Sequence, residues 1–101
     1  MANIKFNYQY RDGGNYKKCG SMVLANPTGL GLAELSSLIR SKLIDQTWFY
    51  AADAGIPDLI PNTFNPETDS TWHEFESIEF TAAPVSMKID VLGFVELLGI
   101  I

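Results

Sequence analysis

Alternation of apolar and polar residues near the N-terminus is the clearest structural signal in the chain. The apolar positions are Ile4, Phe6, Tyr8 and Tyr10, with a polar residue after each. This period of two is typical of a β-strand with one buried face and one wetted face. Residues 12–15 tolerate positive φ angles, so we predict a hairpin turn there and a return strand over residues 16–25.

A helical period replaces this alternation after residue 31. Apolar residues recur every three or four positions, at Leu32, Leu35, Leu38, Ile39 and Leu43. They predict a helix over about residues 32–44 with one apolar stripe. Gly31 stands three residues before Glu34, where Ser or Thr would complete a capping box, so the helix start is weakly capped.

The region after the helix contains an aromatic triplet and a proline-rich stretch. Trp48-Phe49-Tyr50 is prone to β structure and predicts a short strand. Three prolines between residues 57 and 66 exclude a regular element, because proline lacks the backbone donor. Residues 56–70 are therefore expected to form a long ordered loop, a kind that is often functional.

Residues 71–81 return to a strand-like pattern. Their apolar members are Trp72, Phe75, Ile78 and Phe80. The spacing slips from three to two, which predicts a β-bulge near Glu76 and Ser77. From about residue 88 the apolar tail fits either a helix or a strand. The order β-β-α-β-β-α predicts an α+β fold, a small and mostly antiparallel sheet with helices packed on one face.

Length and composition fit a single domain over residues 1–101 with one core. The hydrophobic fraction of 47% is ordinary for a folded protein, which argues against disorder. The N-terminus lacks the apolar segment of a signal peptide, and one cysteine cannot form an intramolecular disulfide. We therefore expect a cytoplasmic protein in which Cys19 is a buried, small apolar residue.

The net charge of −5 is unevenly distributed along the chain. Residues 1–44 carry a net charge of +4, whereas residues 45–79 contain eight carboxylates and no Lys or Arg. Such a stretch repels phosphate backbones and attracts basic surfaces, so we expect a basic protein partner and no nucleic acid. The alternative is a solvated acidic face that only keeps the protein soluble.

Aromatic side chains are interleaved with this acidic stretch. Trp and Tyr are among the residues most enriched at binding hot spots. The predicted binding residues are Trp48, Tyr50, Asp53, Asp58, Phe64, Glu67, Asp69, Trp72, Glu74 and Glu76. Core filling is the alternative for the two tryptophans.

Residues suited to catalysis or metal binding are sparse. His73 is the single histidine, and a zinc site requires three or four ligands that are mostly Cys and His. No motif joins Cys19 to a base, and Glu74 and Glu76 share a strand face as a solvated pair. We predict no catalytic residue, no metal site, no cofactor, and a surface or half-buried His73. An ion held by the oxygen-rich loop over 56–70 stays open.

The segment Ile89–Ile101 is mostly apolar but only thirteen residues long. A membrane span requires about 20 apolar residues, so we expect no membrane association. As a helix the segment would be apolar on more than one side, and one sheet face covers only one side. We expect burial against the sheet, and the remaining side suggests a homodimer through Ile89–Ile101.

Several short segments resemble a small family of uncharacterised bacterial proteins. They are residues 3–8, 10–12, 15–17, 40–45, 55–59 and 72–77. The resemblance spans roughly residues 3–80 and implies no activity, cofactor or partner.

These observations favour a small binding or inhibitory protein of the antitoxin, immunity or anti-defence type. It would dock its acidic segment on a basic protein surface. Two alternatives stay open. A small enzyme would act through His73 and neighbouring carboxylates, although no catalytic motif supports it. A homo-oligomeric structural protein would use the apolar tail.

Overall fold

A computed structural model describes residues 2–14, 17–60 and 71–98. The elements are β1 (Asn3–Arg11), β2 (Lys17–Leu24), α1 (Leu32–Lys42), β3 (Trp48–Phe49), β4 (His73–Thr81) and α2 (Val91–Leu98). The strands form one antiparallel sheet in the order β2-β1-β4-β3. The predicted α+β class with an antiparallel sheet is therefore confirmed.

β1 is a central strand of the sheet, and its alternation is realised as predicted. The inward residues Ile4, Phe6, Tyr8 and Tyr10 are at most 2% exposed. Ile4 lies opposite Leu24 of β2 on one side and opposite Phe80 of β4 on the other. Where β1 ends, the N–H of Gly14 donates to Oδ1 of Asp12 at 2.9 Å, which starts the turn toward β2.

β4 contains the predicted bulge. Asn7 of β1 faces Ser77, and the next residue, Tyr8, faces Phe75, so Glu76 has no residue opposite it. This extra residue changes the alternation, so that positions 75 and 78 both face the core. Two of the apolar residues in the strand-like pattern over 71–81 lie outside the core, because Trp72 and Phe80 are 40% and 51% exposed.

α1 packs on the buried face of the sheet. It begins after Gly31, which has no side-chain cap, as the sequence indicated. Leu35 and Ile39 are fully buried in the same core cluster as the inward residues of β1. The helix ends at Lys42, two residues earlier than predicted, because Leu43 takes an extended conformation.

α2 removes the described part of the apolar tail from water. Its buried residues are Val91, Phe94, Val95 and Leu98, and the ring of Phe94 meets that of Phe6 edge-on at 4.8 Å. Leu92 and Leu97 are half-buried, so no apolar side chain over 91–98 is exposed. The homodimer stays a prediction, and burial of this helix does not require it. Neither described helix has the length and apolar character needed to cross a membrane.

Candidate functional site

A tight turn between α1 and β3 positions one side of the candidate site. The N–H of Ile44 donates to the carbonyl of Trp48 at 2.8 Å, and the N–H of Trp48 donates back at 2.9 Å. Closing so short a loop places Asp45 and Gln46 in the left-handed region, with φ of 49° and 59°. Aspartate tolerates this conformation better than glutamine does. Nη1 of Arg40 also donates to the carbonyl of Gln46 at 2.8 Å, which helps to fix the turn.

β3 divides its two aromatic residues between the faces of the sheet. Phe49 pairs with His73 and is buried, whereas Trp48 pairs with Glu74 on the opposite face. Trp72, which immediately precedes β4, lies on the same side as Trp48. The two indole rings have centroids 6.1 Å apart and planes inclined at 52°. The tryptophans thus form a pair outside the core.

The tryptophan pair lines a cleft of about 290 Å³. The aromatic cleft, as we call it, is lined by Ile44, Asp45, Trp48, Tyr50 and Trp72. Two broader grooves elsewhere on the described surface are more open to solvent. The described lining of the aromatic cleft therefore combines aromatic walls with one carboxylate.

Asp45 is the one charged residue among the described residues that line the aromatic cleft. Its carbonyl accepts a hydrogen bond from Oγ1 of Thr47 at 3.2 Å. Its carboxylate has no hydrogen-bond or ion-pair partner within residues 2–14, 17–60 and 71–98. Carboxylate oxygens beside aromatic faces suit a cation or a strong hydrogen-bond donor.

The structure brings three of the ten predicted binding residues into this cleft. Trp48 and Tyr50 are half-buried and Trp72 is 40% exposed, so neither tryptophan is a core residue. Sequence reasoning missed Ile44 and Asp45. Their signal is the polar run from Asp45 to residue 47 between two residues of high β propensity, which is typical of a hairpin turn. The predicted residues Phe64, Glu67 and Asp69, and the loop over 61–70, lie outside the described residues.

Four further predicted residues are placed apart from the aromatic cleft lining. Asp53, Asp58 and Glu76 are exposed. Oδ1 of Asp58 accepts the N–H of Ile60 at 2.6 Å, so this carboxylate also shapes its own turn. Glu76 stands at the bulge of β4. None of the three forms an ion pair with another described residue.

Glu74 differs from these three residues because its carboxylate forms an ion pair and a hydrogen bond with residues of β1. Its Oε2 lies 3.2 Å from Nε of Arg11, and its Oε1 accepts a hydrogen bond from Gln9 at 2.9 Å. Similarly, Lys5 lies 3.6 Å from Glu79. The cations of β1 thus offset part of the acidic stretch across the β1–β4 pairing.

His73 is buried, contrary to the prediction of a surface or half-buried position. It is 1% exposed, and its ring lies 5.3 Å from Tyr10 and 6.0 Å from both Tyr8 and Phe49 between centroids. Alternation along β4 places His73 on the core side with Phe75. The imidazole ring of His73 thus occupies a position in the core.

The hydrogen bonding of His73 fixes its protonation. Nε2 accepts the N–H of Leu59 at 3.0 Å, so the ring proton is on Nδ1. Nδ1 is buried and has no hydrogen-bond partner in the described part of the chain. Burial lowers the pKa of His73, and the negative charge of Asp58 opposes this in part. The ring is held as neutral imidazole.

Three contacts fix the segment over residues 57–59 against the sheet. The hydroxyl of Tyr8 donates to the carbonyl of Pro57 at 2.7 Å, and Leu59 donates its N–H to His73. Gly20 of β2 leaves space for Leu59, since a Cβ there would lie 3.1 Å from its Cδ2. Burial, and to a lesser degree the charge of Asp58, raises the pKa of Tyr8.

Cys19 is exposed, and the prediction that it is buried is wrong. It pairs with Gln9 on the outer face of the sheet, whereas His73 faces the core. The two side chains cannot combine as a nucleophile and its base. Within the described ranges, no three His, Cys, Asp or Glu residues are grouped as a metal site would require.

Comparison with known proteins leaves the geometry as the guide to function. No family model matches this chain, and no curated protein or solved structure matches it. The resemblance to uncharacterised bacterial proteins therefore stays a prediction.

Proposed function

We propose that this chain is a small binding or inhibitory protein that docks on a basic protein surface through the aromatic cleft and nearby carboxylates. One observation carries the proposal: Trp48, Tyr50 and Trp72 meet at the surface beside Asp45. Exposed aromatic rings at a concave site are typical of binding hot spots. A protein of the antitoxin, immunity or anti-defence type, acting in the cytoplasm, would use such a surface.

The distribution of charge supports a basic partner. Among the described acids of the stretch over 45–79, Glu74 and Glu79 are paired with cations of β1. Asp45, Asp53 and Glu76 have no such pairing within the described residues. Carboxylates of this kind attract a positively charged surface and accelerate its approach, and the same charge disfavours nucleic acid.

Catalysis through His73 has less support. The ring is 1% exposed, its Nε2 already accepts a backbone N–H, and it lines neither the aromatic cleft nor the two broader grooves. A general base must reach its substrate within hydrogen-bond distance. A homo-oligomer through α2 is also less favoured, because the apolar side chains of that helix are already buried or half-buried.

Comparative capture from the host tests the proposal. The wild-type chain and Trp72→Ala serve as bait, with Phe80→Ala as the matched control, since Phe80 is a 51% exposed aromatic residue outside the aromatic cleft. We expect a basic protein that both the wild type and Phe80→Ala retain and Trp72→Ala loses. The purified pair should then bind less tightly as salt concentration rises.

Two results would contradict the proposal. One is a set of captured proteins that is the same for wild type and Trp72→Ala. The other is a reconstituted complex whose affinity does not change between low and high salt, since such a complex does not depend on opposite charges.

A further inference from the structure

We infer that the aromatic cleft binds the guanidinium group of one arginine side chain, presented by the partner protein. This inference rests on the proposed function and names the anchor of that interface. The cleft offers three aromatic residues, Trp48, Tyr50 and Trp72, and the carboxylate of Asp45. The faces of aromatic rings carry negative potential, and tryptophan attracts cations most strongly.

Guanidinium fits this lining better than the other biological cations. It is planar and weakly hydrated, so it can stack on an indole while its N–H groups reach a carboxylate. The ammonium group of lysine is compact and strongly hydrated, so entering an apolar cleft costs it more. A volume of about 290 Å³ lies at the lower limit for small-molecule sites, which suits one side-chain head.

The turn that contains Asp45 and Gln46 already binds one guanidinium group of the chain itself, that of Arg40 on α1. Cζ of Arg40 lies 4.9 Å from the centroid of the Phe75 ring, and its Nη1 donates to the carbonyl of Gln46. An aromatic face and an oxygen of the 45–46 turn thus bind one guanidinium within the fold. The aromatic cleft presents the equivalent pair of groups, indole faces and the Asp45 carboxylate.

The two broader grooves lack this combination. One is lined mainly by small and aliphatic residues and includes the cation Lys88. The second is lined by Leu30, Glu34, Leu38 and two serines, with no aromatic ring. Charge and aromatic faces therefore coincide at the aromatic cleft alone among these three.

Fluorescence provides a direct test, because both tryptophans of the chain line the aromatic cleft. The probe is the peptide acetyl-Gly-Arg-Gly-amide, and the matched neutral peptide contains citrulline in place of arginine. We expect saturable changes in indole fluorescence and in the indole N–H NMR signals, with a dissociation constant on the order of 1–10 mM. The arginine peptide should bind at least about fivefold tighter than the citrulline peptide. It should also bind more tightly than a third peptide, in which lysine replaces arginine.

Asp45→Asn is the most informative variant. Asparagine tolerates positive φ as aspartate does, so the turn is kept while the charge is removed. We expect it to weaken binding of the arginine peptide about threefold or more. Asp53→Asn, which removes an exposed charge outside the cleft lining, should leave that affinity unchanged.

Three results would overturn the inference. They are equal binding of the arginine and citrulline peptides, equal or tighter binding of the lysine peptide, and unchanged indole signals at saturating probe. If the arginine peptide fails while Trp72→Ala still loses a basic partner, the arginine anchor is wrong and the proposed function stands. If the arginine peptide binds but capture of a basic partner does not depend on Trp72, the proposed docking on a basic protein is wrong, whereas binding of guanidinium by the aromatic cleft is supported.

Discussion

Two aromatic clusters lie on opposite sides of β3 and have opposite surroundings. In the buried cluster the ring of Phe6 lies 4.8–5.9 Å from four other rings, those of Tyr8, Phe49, Phe75 and Phe94. In the open cluster, two indoles and a tyrosine line the surface cleft. Adjacent residues lie on opposite sides of the sheet, since Trp48 and Trp72 line the cleft whereas Phe49 and His73 are buried. Alternation along the strand, more than hydrophobicity, decides the side of each ring.

The difference in exposure assigns the two clusters different roles, the buried one in stability and the open one in binding. Rings in the buried cluster exchange water for close-packed neighbours, so their removal costs free energy of unfolding. Rings in the open cluster keep much of their water, and their apolar area is available to a partner. Substitutions in the two clusters should therefore affect different measurements.

Phe6→Ala should produce the largest loss of stability. The ring is fully buried among four others, and truncation leaves a cavity that the sheet cannot close. We expect the free energy of unfolding to fall by about 3–5 kcal/mol, measured by chemical denaturation. A loss below about 1 kcal/mol would show that the cluster is not the centre of the core.

Gly20→Val should have the next largest effect on stability. A side chain there would press on Leu59 and Tyr8 at 3.1–3.3 Å and displace the segment over 57–59. We expect a loss of about 1–3 kcal/mol in chemical denaturation. Ser21→Val is the control, because Ser21 is exposed on the outer face of the same strand. Equal effects of the two substitutions would contradict this packing.

Acidification should weaken the fold through His73. Burial lowers its pKa in the folded state, so the unfolded chain binds a proton more readily. The stabilisation is complete above the ordinary pKa of about 6.5 and is lost as pH falls from there toward the lowered value. In His73→Gln this part of the pH dependence should disappear, as measured by denaturation between pH 7.5 and pH 5, a range of about 2.5 units around the ordinary value. An identical pH dependence in both proteins would contradict the buried neutral ring.

Trp72→Ala should have the smallest effect on stability. Its side chain is 40% exposed and lies outside the core, so we expect a loss below about 1 kcal/mol in the same denaturation assay. The free energy of partner binding should fall by much more than the free energy of unfolding. A loss of stability as large as that of Phe6→Ala would place Trp72 in the core and end the distinction between the clusters.

Sequence patterns were sufficient where the spacing of apolar residues follows the local backbone. The alternation in β1 predicted its inward residues, and the uneven spacing in β4 predicted the bulge at Glu76. The patterns did not predict burial correctly where the position of a residue along its strand, and not its polarity, decides which face it lies on. His73 is polar but faces the core, and Cys19 is small and apolar but lies on the outer face.

The aromatic cleft was only partly predictable for the same reason. The enrichment of aromatic residues in the acidic stretch points to Trp48, Tyr50 and Trp72, yet core filling is the alternative for the two tryptophans. Cross-strand pairing of Trp48 with Glu74 decides between them, and pairing across distant segments is not contained in local periodicity. Asp45 reaches the cleft through a left-handed turn. The polar run over 45–47 indicates a turn, but it does not show that the turn lies beside the two tryptophans.

Charge-selective quenching of tryptophan fluorescence tests the central claim most directly, since both indoles lie in one open, acidic cleft. Neutral acrylamide should quench efficiently, whereas iodide should quench poorly relative to acrylamide and caesium relatively well, because the Asp45 carboxylate repels anions. In Asp45→Asn the protection from iodide should diminish. Efficient iodide quenching in the wild type would contradict the acidic site, and weak quenching by acrylamide would show that the tryptophans are buried.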